Sequence, residues 1–123
     1  PILRGAFVGQ RIACAPLAQP DLDLTSFPVD PRLPTTRARA EQQTKPAACA
    51  GCHDIINPLG FAFEGHDQLG RPRTTDGGAA IDTTGAFVGL GVEGTFANAD
   101  EMLDRLLASK VAAACFGRNW LEY

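Results

Sequence analysis

The last quarter of the chain carries its clearest helical pattern. Apolar residues recur there at steps of three and four, which places them on one helical face: Met102, Leu103, Leu106 and Leu107. Asn98 with Glu101 three residues later forms an asparagine-based capping box and predicts a helix to about Ser109. A second helix is predicted from Val111, with one row formed by Ala112, Phe116 and Trp120 and with Tyr123 one turn beyond.

Two more helices are predicted in the middle of the chain. Either Thr35 or Thr36 can cap a helix that runs through Gln43. Pro46 stops this helix and can open the next one at its first turn. The predicted end of that next helix is at Pro58 and Gly60.

Prolines and glycines divide the rest of the chain. Five prolines between Pro16 and Pro34 predict an extended segment, in which Leu22 and Leu24 suggest that it wraps over the protein. The first 15 residues are compatible with a short helix. Residues 74–83 predict a small hairpin, with Asp76-Gly77 as its turn signal. The predicted fold is therefore mostly α, with long extended loops and one small β-hairpin.

Composition indicates one ordinary domain. The chain has 123 residues, of which 45% are hydrophobic and 20% charged, so it can bury a core. A net charge of −3 with interspersed signs argues against nucleic acid or an anionic membrane as a partner. No apolar run approaches the roughly 18 residues of a membrane span, and no signal peptide is visible. We interpret residues 1–123 as a single domain from a larger secreted multidomain protein, monomeric when isolated.

The stretch Cys49-Ala50-Gly51-Cys52-His53 has the Cys-x-x-Cys-His pattern of c-type haem attachment. Each thiol can form a thioether bond to one haem vinyl group, and the histidine that follows can bind the iron. A zinc site would need further ligands, but the other cysteines are distant and the only other histidine is His66. A thioredoxin-like pair would follow a strand, and none is predicted here. The pattern therefore predicts one covalent haem c per chain.

The remaining cysteines, Cys14 and Cys115, lie near opposite ends of the chain. We predict that they form a disulfide, which requires an oxidising compartment. Haem c is also attached outside the cytoplasmic membrane, so both features predict a periplasmic or extracellular location, or attachment to the cell surface through the parent protein. The alternative is that both are free buried thiols, because cysteine is often a small core residue.

Residues 37–73 resemble a known family. The similarity is carried by the haem motif together with Asn57-Pro58-Leu59-Gly60-Phe61-Ala62-Phe63-Glu64, Asp67 and Gly70-Arg71-Pro72-Arg73. They are similar to planctomycete-type cytochrome c domains of large secreted bacterial proteins, and a looser similarity extends to both ends of the chain. The resemblance implies a mono-haem electron-transfer module with a class I-like cytochrome fold. Relatives commonly have a histidine at the position of Gln43 and an aromatic residue at that of His66.

If His53 is the proximal ligand, the distal ligand remains to be chosen. Met102, the only methionine, lies 49 residues beyond His53, which is far enough to reach the opposite face of the haem. His66 is the second choice, since only 13 residues separate it from His53. The alternatives are that Met102 is a core residue and that His66 is a surface residue.

Other residues are predicted to hold the cofactor. Arg71 and Arg73 are candidates for the haem propionates, because a guanidinium binds a carboxylate through two hydrogen bonds, although solvated loop charges are an equal alternative. A backbone carbonyl near Pro58 could accept the Nδ1 hydrogen of His53. The remaining candidates are expected to pack the haem pocket and the core: Leu59, Phe61, Phe63, Phe96, Phe116 and Trp120.

Outer-sphere electron transfer is the function that these predictions favour, with redox proteins or domains of the same parent protein as partners. No side chain needs to perform acid–base chemistry, so the domain is not predicted to be an enzyme. One alternative is a haem enzyme or sensor with an open or displaceable sixth position. Another is a non-haem extracellular interaction module, in which the two motif cysteines pair or bind zinc.

Overall fold

The computed structural model describes residues 1–17 and 27–122, and it confirms the mostly α prediction. The five α-helices are α1 Ile2–Phe7, α2 Thr36–Thr44, α3 Ala47–Phe61, α4 Ala99–Ala108 and α5 Lys110–Leu121. The strands are β1 Thr75–Asp76, β2 Ala79–Ala80, β3 Gly85–Ala86 and β4 Thr95–Phe96. Within the described part of the chain, no helix has the length and apolar character that crossing a membrane requires.

Three helices begin with a residue whose side chain accepts a hydrogen bond from the backbone of the first turn. The Thr35 hydroxyl accepts a hydrogen bond from the N–H of Ala38 at the start of α2. Asn98 accepts from the N–H of Glu101 at the start of α4, as the capping box predicts. Ser109 ends α4 and also caps α5. Helix boundaries set by local chemistry were thus readable from the sequence.

Helix α3 continues beyond the predicted end. Pro58 lies inside the helix, which reaches Phe61 because its last turn packs against α1. A Cβ added at Gly60 would overlap the carbonyl of Pro1, and one added at Gly5 would overlap that of Ile56. These two glycines let the helices approach at backbone contact. Pro58 does not stop the helix, because tertiary packing outweighs its local preference, whereas the predicted end at Gly60 lies one residue before the observed end at Phe61.

The N-terminal helix is also confirmed, and a π-helical turn over Val8–Ile12 continues it. Cys14 follows and forms a disulfide with Cys115 of α5, as predicted. The side-chain amide of Asn119 donates to the carbonyl of Arg11 at 3.1 Å beside it. The two ends of the chain are therefore joined by one covalent bond and by polar contacts. Of the predicted extended segment, Pro20, Leu22 and Leu24 lie outside the described residues, as does Tyr123.

The predicted hairpin is present: β1 pairs with β2, and Gly77 and Gly78 form the turn with φ of 57° and 84°. Two successive residues with positive φ match the turn that suits the right-handed twist of a hairpin. A second antiparallel pair, β3 with β4, was not predicted. Each of these strands has two residues. Gly85 packs directly against the ring of Phe96, where a Cβ would overlap it. An alternating pattern of apolar and polar residues does not reveal this contact.

The core is formed where α3, α4 and β4 meet the π-helical turn Val8–Ile12. Its fully buried large side chains are Leu59, Met102 and Leu106. Phe87 and Phe96 pack edge to face, with ring centroids 5.0 Å apart. Phe116 and Trp120 do not belong to this core: they stack on each other on α5, with 69% and 75% of their surfaces exposed. Their predicted packing role was wrong, because α5 turns Ala112 and Cys115 inward instead.

Candidate functional site

Helices α2 and α3 and the β3–β4 pair surround a cleft of about 980 Å³. Its volume is at the upper end of the range of about 300–1,000 Å³ for small-molecule sites. Helix α3 presents Ala50, His53, Asp54 and Asn57 to the cleft at steps of three and four, and these positions share one helical face. The Cys-x-x-Cys-His motif and this cleft therefore meet at His53.

The walls of the cleft combine apolar and charged side chains. The apolar part is formed by Pro58, Phe61, Ala86, Val88 and Phe96. Arg37 of α2 and Lys45, which follows α2 directly, supply positive charge. Glu41, Asp54 and Glu101 supply negative charge. A large apolar ligand that carries carboxylates would find both an apolar surface and cationic partners here.

Cys49 and Cys52 are both free thiols and both partly exposed. They lie on α3 one turn apart, and His53 follows Cys52 directly. The structure thus holds the three motif residues on one rigid helix, next to the cleft that His53 lines. Among the described residues, no group of three or more His, Cys, Asp or Glu side chains is arranged to hold a metal ion.

His53 takes part in a hydrogen-bonded chain that links α3 to α2. Its Nδ1 lies 3.0 Å from Oδ1 of Asn57, one turn further along α3. The Asn57 Nδ2 donates to the hydroxyl of Thr44 at 2.7 Å, and that hydroxyl donates to the carbonyl of Ala40 at 2.8 Å. The predicted partner of His53 was a backbone carbonyl near Pro58. That prediction was wrong, because the Pro58 carbonyl accepts from the N–H of Ala62 inside the helix.

Arg37 is a site residue that sequence reasoning missed. Its guanidinium lies over the ring of Phe61, 4.5 Å from the centroid. It donates to the carbonyls of Asp82 and Thr84, at 3.2 and 2.8 Å, and so connects α2 to the loop before β3. It also pairs with Glu41 one turn along α2. The i, i+4 charge pair was visible in the sequence, but the position over the ring depends on the fold.

The two arginines predicted to bind propionates do not line the cleft. Arg71 is exposed and pairs with Asp67 at 2.8 Å. Arg73 pairs at 2.7 Å with Glu64, whose buried carboxylate also binds Arg4 at 2.6 Å. Glu64 requires these partners because an unpaired buried carboxylate is costly. The propionate role of Arg71 and Arg73 stays a prediction, and in this structure the ion pair between Arg73 and Glu64 joins the two sequence motifs that contain them.

Both candidates for the distal ligand lie away from the cleft. Met102 is fully buried in the apolar core with Leu59 and Leu106, and it does not line the cleft with His53. His66 is exposed beside Arg4 and Glu64, in a different depression of the surface. Gln43 also points elsewhere, since its side chain donates to the carbonyl of Phe27. Phe61 and Phe96 do line the cleft, whereas Leu59 packs in the core behind it.

Carboxylates near the cleft are held in the ionised form. The N–H of Ala97 donates to the carboxylate of Glu101 and, with Arg105 beside it, lowers the pKa of that group. The hydroxyl and N–H of Thr84 lower the pKa of Asp82 in the same way, with Arg37 nearby. Hydrogen bonds to a charged carboxylate stabilise its charged form. The cationic side of the cleft is thus already partly neutralised by residues of the chain.

These features define a mostly helical domain with a histidine that lines a large, mainly apolar cleft and with two free thiols on the same helix, neither of which is among the residues that line the cleft. The chain belongs to the PSCyt3 family, described as a protein of unknown function (DUF1588), whose model matches residues 1–76. The family name denotes a planctomycete cytochrome type, and the match includes the haem motif and the arginine of α2. No curated protein and no solved structure matches the chain.

Proposed function

We propose that this domain carries one covalently bound haem c and transfers electrons. Cys49 and Cys52 would hold the haem through thioether bonds, and His53 would be the proximal ligand of its iron. The observation that carries the proposal is the pair of free thiols on the same helix as a histidine that lines a cleft of about 980 Å³. When bound, the haem supplies one-electron oxidation and reduction at iron.

The attachment chemistry needs reduced thiols and no external oxidant. In each bond the cysteine sulfur adds to one carbon of a haem vinyl group, and the thiol hydrogen is transferred to the other carbon. Nothing leaves, so two thiols and two vinyl groups become two thioethers. Cys49 and Cys52 meet this requirement because they are free, whereas the other two cysteines are already paired.

The chain's own residues would bind and shield the cofactor. Phe61, Phe96 and Val88 offer apolar surface, which excludes water and favours an apolar macrocycle. Arg37 and Lys45 are the cations available to the haem carboxylates, in place of the predicted Arg71 and Arg73. Electron transfer through an exposed haem edge requires no proton transfer by these side chains.

Location and partners follow from the same chemistry. The disulfide between Cys14 and Cys115 supports an oxidising compartment, which is the periplasm or the outside of the cell. Redox proteins, or neighbouring domains of a larger parent protein, would supply and accept the electrons. The joined ends of the chain are compatible with the class I-like cytochrome arrangement that the resemblance implies.

The proposal is tested by expressing the domain in the periplasm together with haem c maturation machinery. We expect a strong Soret band that remains with the protein after denaturation, and a visible spectrum that changes on reduction with dithionite. The control is the same domain expressed without that machinery. A colourless product in both preparations, with the protein folded, would overturn the assignment of a cytochrome.

A second candidate function is favoured by the position of Met102. Its complete burial in the core, away from the cleft, supports a haem whose sixth position is open or displaceable. Such a site would bind a small ligand or act on a peroxide, as in sensors and peroxidases. The sequence-based choice of Met102 as distal ligand stays a prediction that spectroscopy must decide.

Replacing Met102 with leucine distinguishes an iron with an open sixth position from an iron that Met102 binds. The two side chains have similar volumes, so the folded domain should lose less than about 1.5 kcal/mol. The open site predicts a high-spin ferric spectrum in the wild type and no spectral change in Met102→Leu. His66→Gln, at the exposed second choice, serves as the parallel variant. A near-infrared methionine–iron band that disappears in Met102→Leu would instead establish Met102 as the ligand and exclude the open site.

A further inference from the structure

We propose that Asn57 and Thr44 are positioning residues that set the tautomer and the ligand strength of His53. This inference deepens the proposed function and rests on it, because the tautomer matters only if His53 binds iron. The observation that carries it is the continuous chain from His53 Nδ1 through the Asn57 amide to the Thr44 hydroxyl and the Ala40 carbonyl.

The hydrogen bond from Thr44 to Ala40 determines which group donates and which accepts at every other link between Thr44 and His53. A hydroxyl has one hydrogen, and that of Thr44 is directed to the carbonyl of Ala40. Its oxygen must therefore accept from Asn57, which places the amide nitrogen of Asn57 toward Thr44. The amide oxygen then faces His53, and it can only accept. Nδ1 of His53 must carry the hydrogen, and Nε2 keeps its lone pair for a metal.

Burial makes this arrangement effective. Thr44 is 7% exposed and Asn57 is 9% exposed, so water does not compete freely for their hydrogen bonds. The Asn57 side chain reaches His53 one turn away along α3 and Thr44 across on α2. A flipped amide would require Thr44 to give up its bond to the carbonyl of Ala40. The packing of α2 on α3 thus decides which nitrogen of His53 is free.

The same contact would tune the bound iron. An acceptor on Nδ1–H makes an imidazole a stronger electron donor through Nε2, and such outer partners orient metal-binding histidines. A negatively charged acceptor should strengthen the effect and stabilise ferric iron. Loss of the acceptor should weaken the electron donation from the His53 imidazole to the iron. Asn57→Asp and Asn57→Leu are therefore expected to shift the reduction potential in opposite directions, down and up respectively.

The tautomer can be measured without haem. In the haem-free domain, long-range ¹H–¹⁵N correlation spectra of the neutral His53 ring should show the hydrogen on Nδ1 in the wild type and in Asn57→Asp. In Asn57→Leu the hydrogen should move to Nε2, the tautomer that free imidazole side chains prefer. Thr44→Val, which keeps the shape but loses the hydroxyl, should give a mixture, and Thr44→Ser, which keeps the hydroxyl, should behave as the wild type. Circular dichroism identifies any variant that does not fold.

The outcomes distinguish this inference from the proposed function. If His53 carries its hydrogen on Nε2 in the folded wild type, or keeps it on Nδ1 in folded Asn57→Leu and Thr44→Val, the positioning role is wrong, whatever the haem content. If the wild type acquires haem but the potentials of Asn57→Asp and Asn57→Leu move in the same direction, the tuning role is wrong. If neither the wild type nor any variant acquires haem, the proposed function is wrong, although the result on the His53 tautomer still stands.

Discussion

Replacing Cys49 and Cys52 together with alanine is expected to abolish covalent haem attachment completely. Both thiols are free and are the only ones in the described structure that are not already in a disulfide. Without them no thioether can form, and His53 alone would give at most a dissociable complex. The measurement is the haem absorbance and the mass of the denatured protein, after expression with maturation machinery. We expect the mass of one haem on the wild type and none on the double variant.

Two matched variants show whether the loss is specific. Cys49→Ala alone should retain one thioether and a shifted absorption band, because one vinyl group remains free. Cys14→Ala/Cys115→Ala removes the same number of cysteines but leaves the motif intact, so any folded product should still carry haem. Covalent haem on Cys49→Ala/Cys52→Ala would contradict the assignment of the motif.

Removing the Cys14–Cys115 disulfide is expected to lower the free energy of unfolding by about 4 to 5 kcal/mol. The bond closes a loop with a sequence separation of 101 residues. In the chain-entropy model a loop of about 100 residues corresponds to about 4.7 kcal/mol. Because small domains have about 5–15 kcal/mol of stability, this loss should bring the domain close to unfolding at 37 °C.

Urea unfolding of the haem-free domain measures this effect. Cys14→Ala/Cys115→Ala and the wild type with reductant should show the same large decrease in the midpoint, since both lose the cross-link. Cys49→Ala/Cys52→Ala is the control, because it removes two thiols at partly exposed positions and no cross-link. Its stability should stay within about 0.5 kcal/mol of the wild type, as surface substitutions usually do. A decrease of less than about 1 kcal/mol on loss of the disulfide would show that the link between the two ends contributes little.

Several elements were predictable because their causes are local. Thr35 and Asn98 cap the helices that follow them, and a side-chain oxygen can do this with backbone groups three residues away. The turn at Gly77 was predictable for the same reason, since positive φ selects glycine. The disulfide was expected from the oxidising compartment rather than from geometry, and the structure shows this bond between Cys14 and Cys115.

The errors concern residues whose role depends on distant partners. Pro58 was expected to end α3, but packing against α1 extends the helix. Phe116 and Trp120 were assigned to the core from their size, yet α5 directs them to the surface. In each case the residue type allowed two roles, and the fold selected one.

The cofactor class and the proximal histidine that we propose were predicted from five consecutive residues, because thioether chemistry requires two thiols and a ligand at this spacing. The surroundings of that histidine do not follow from local sequence. Thr44, Arg37 and the β3–β4 pair line the same cleft as His53 only when α2 and α3 pack together, and Met102 lies in the core behind it. A short motif determines which bonds can form, whereas contacts between residues distant in sequence depend on the burial of apolar surface throughout the domain.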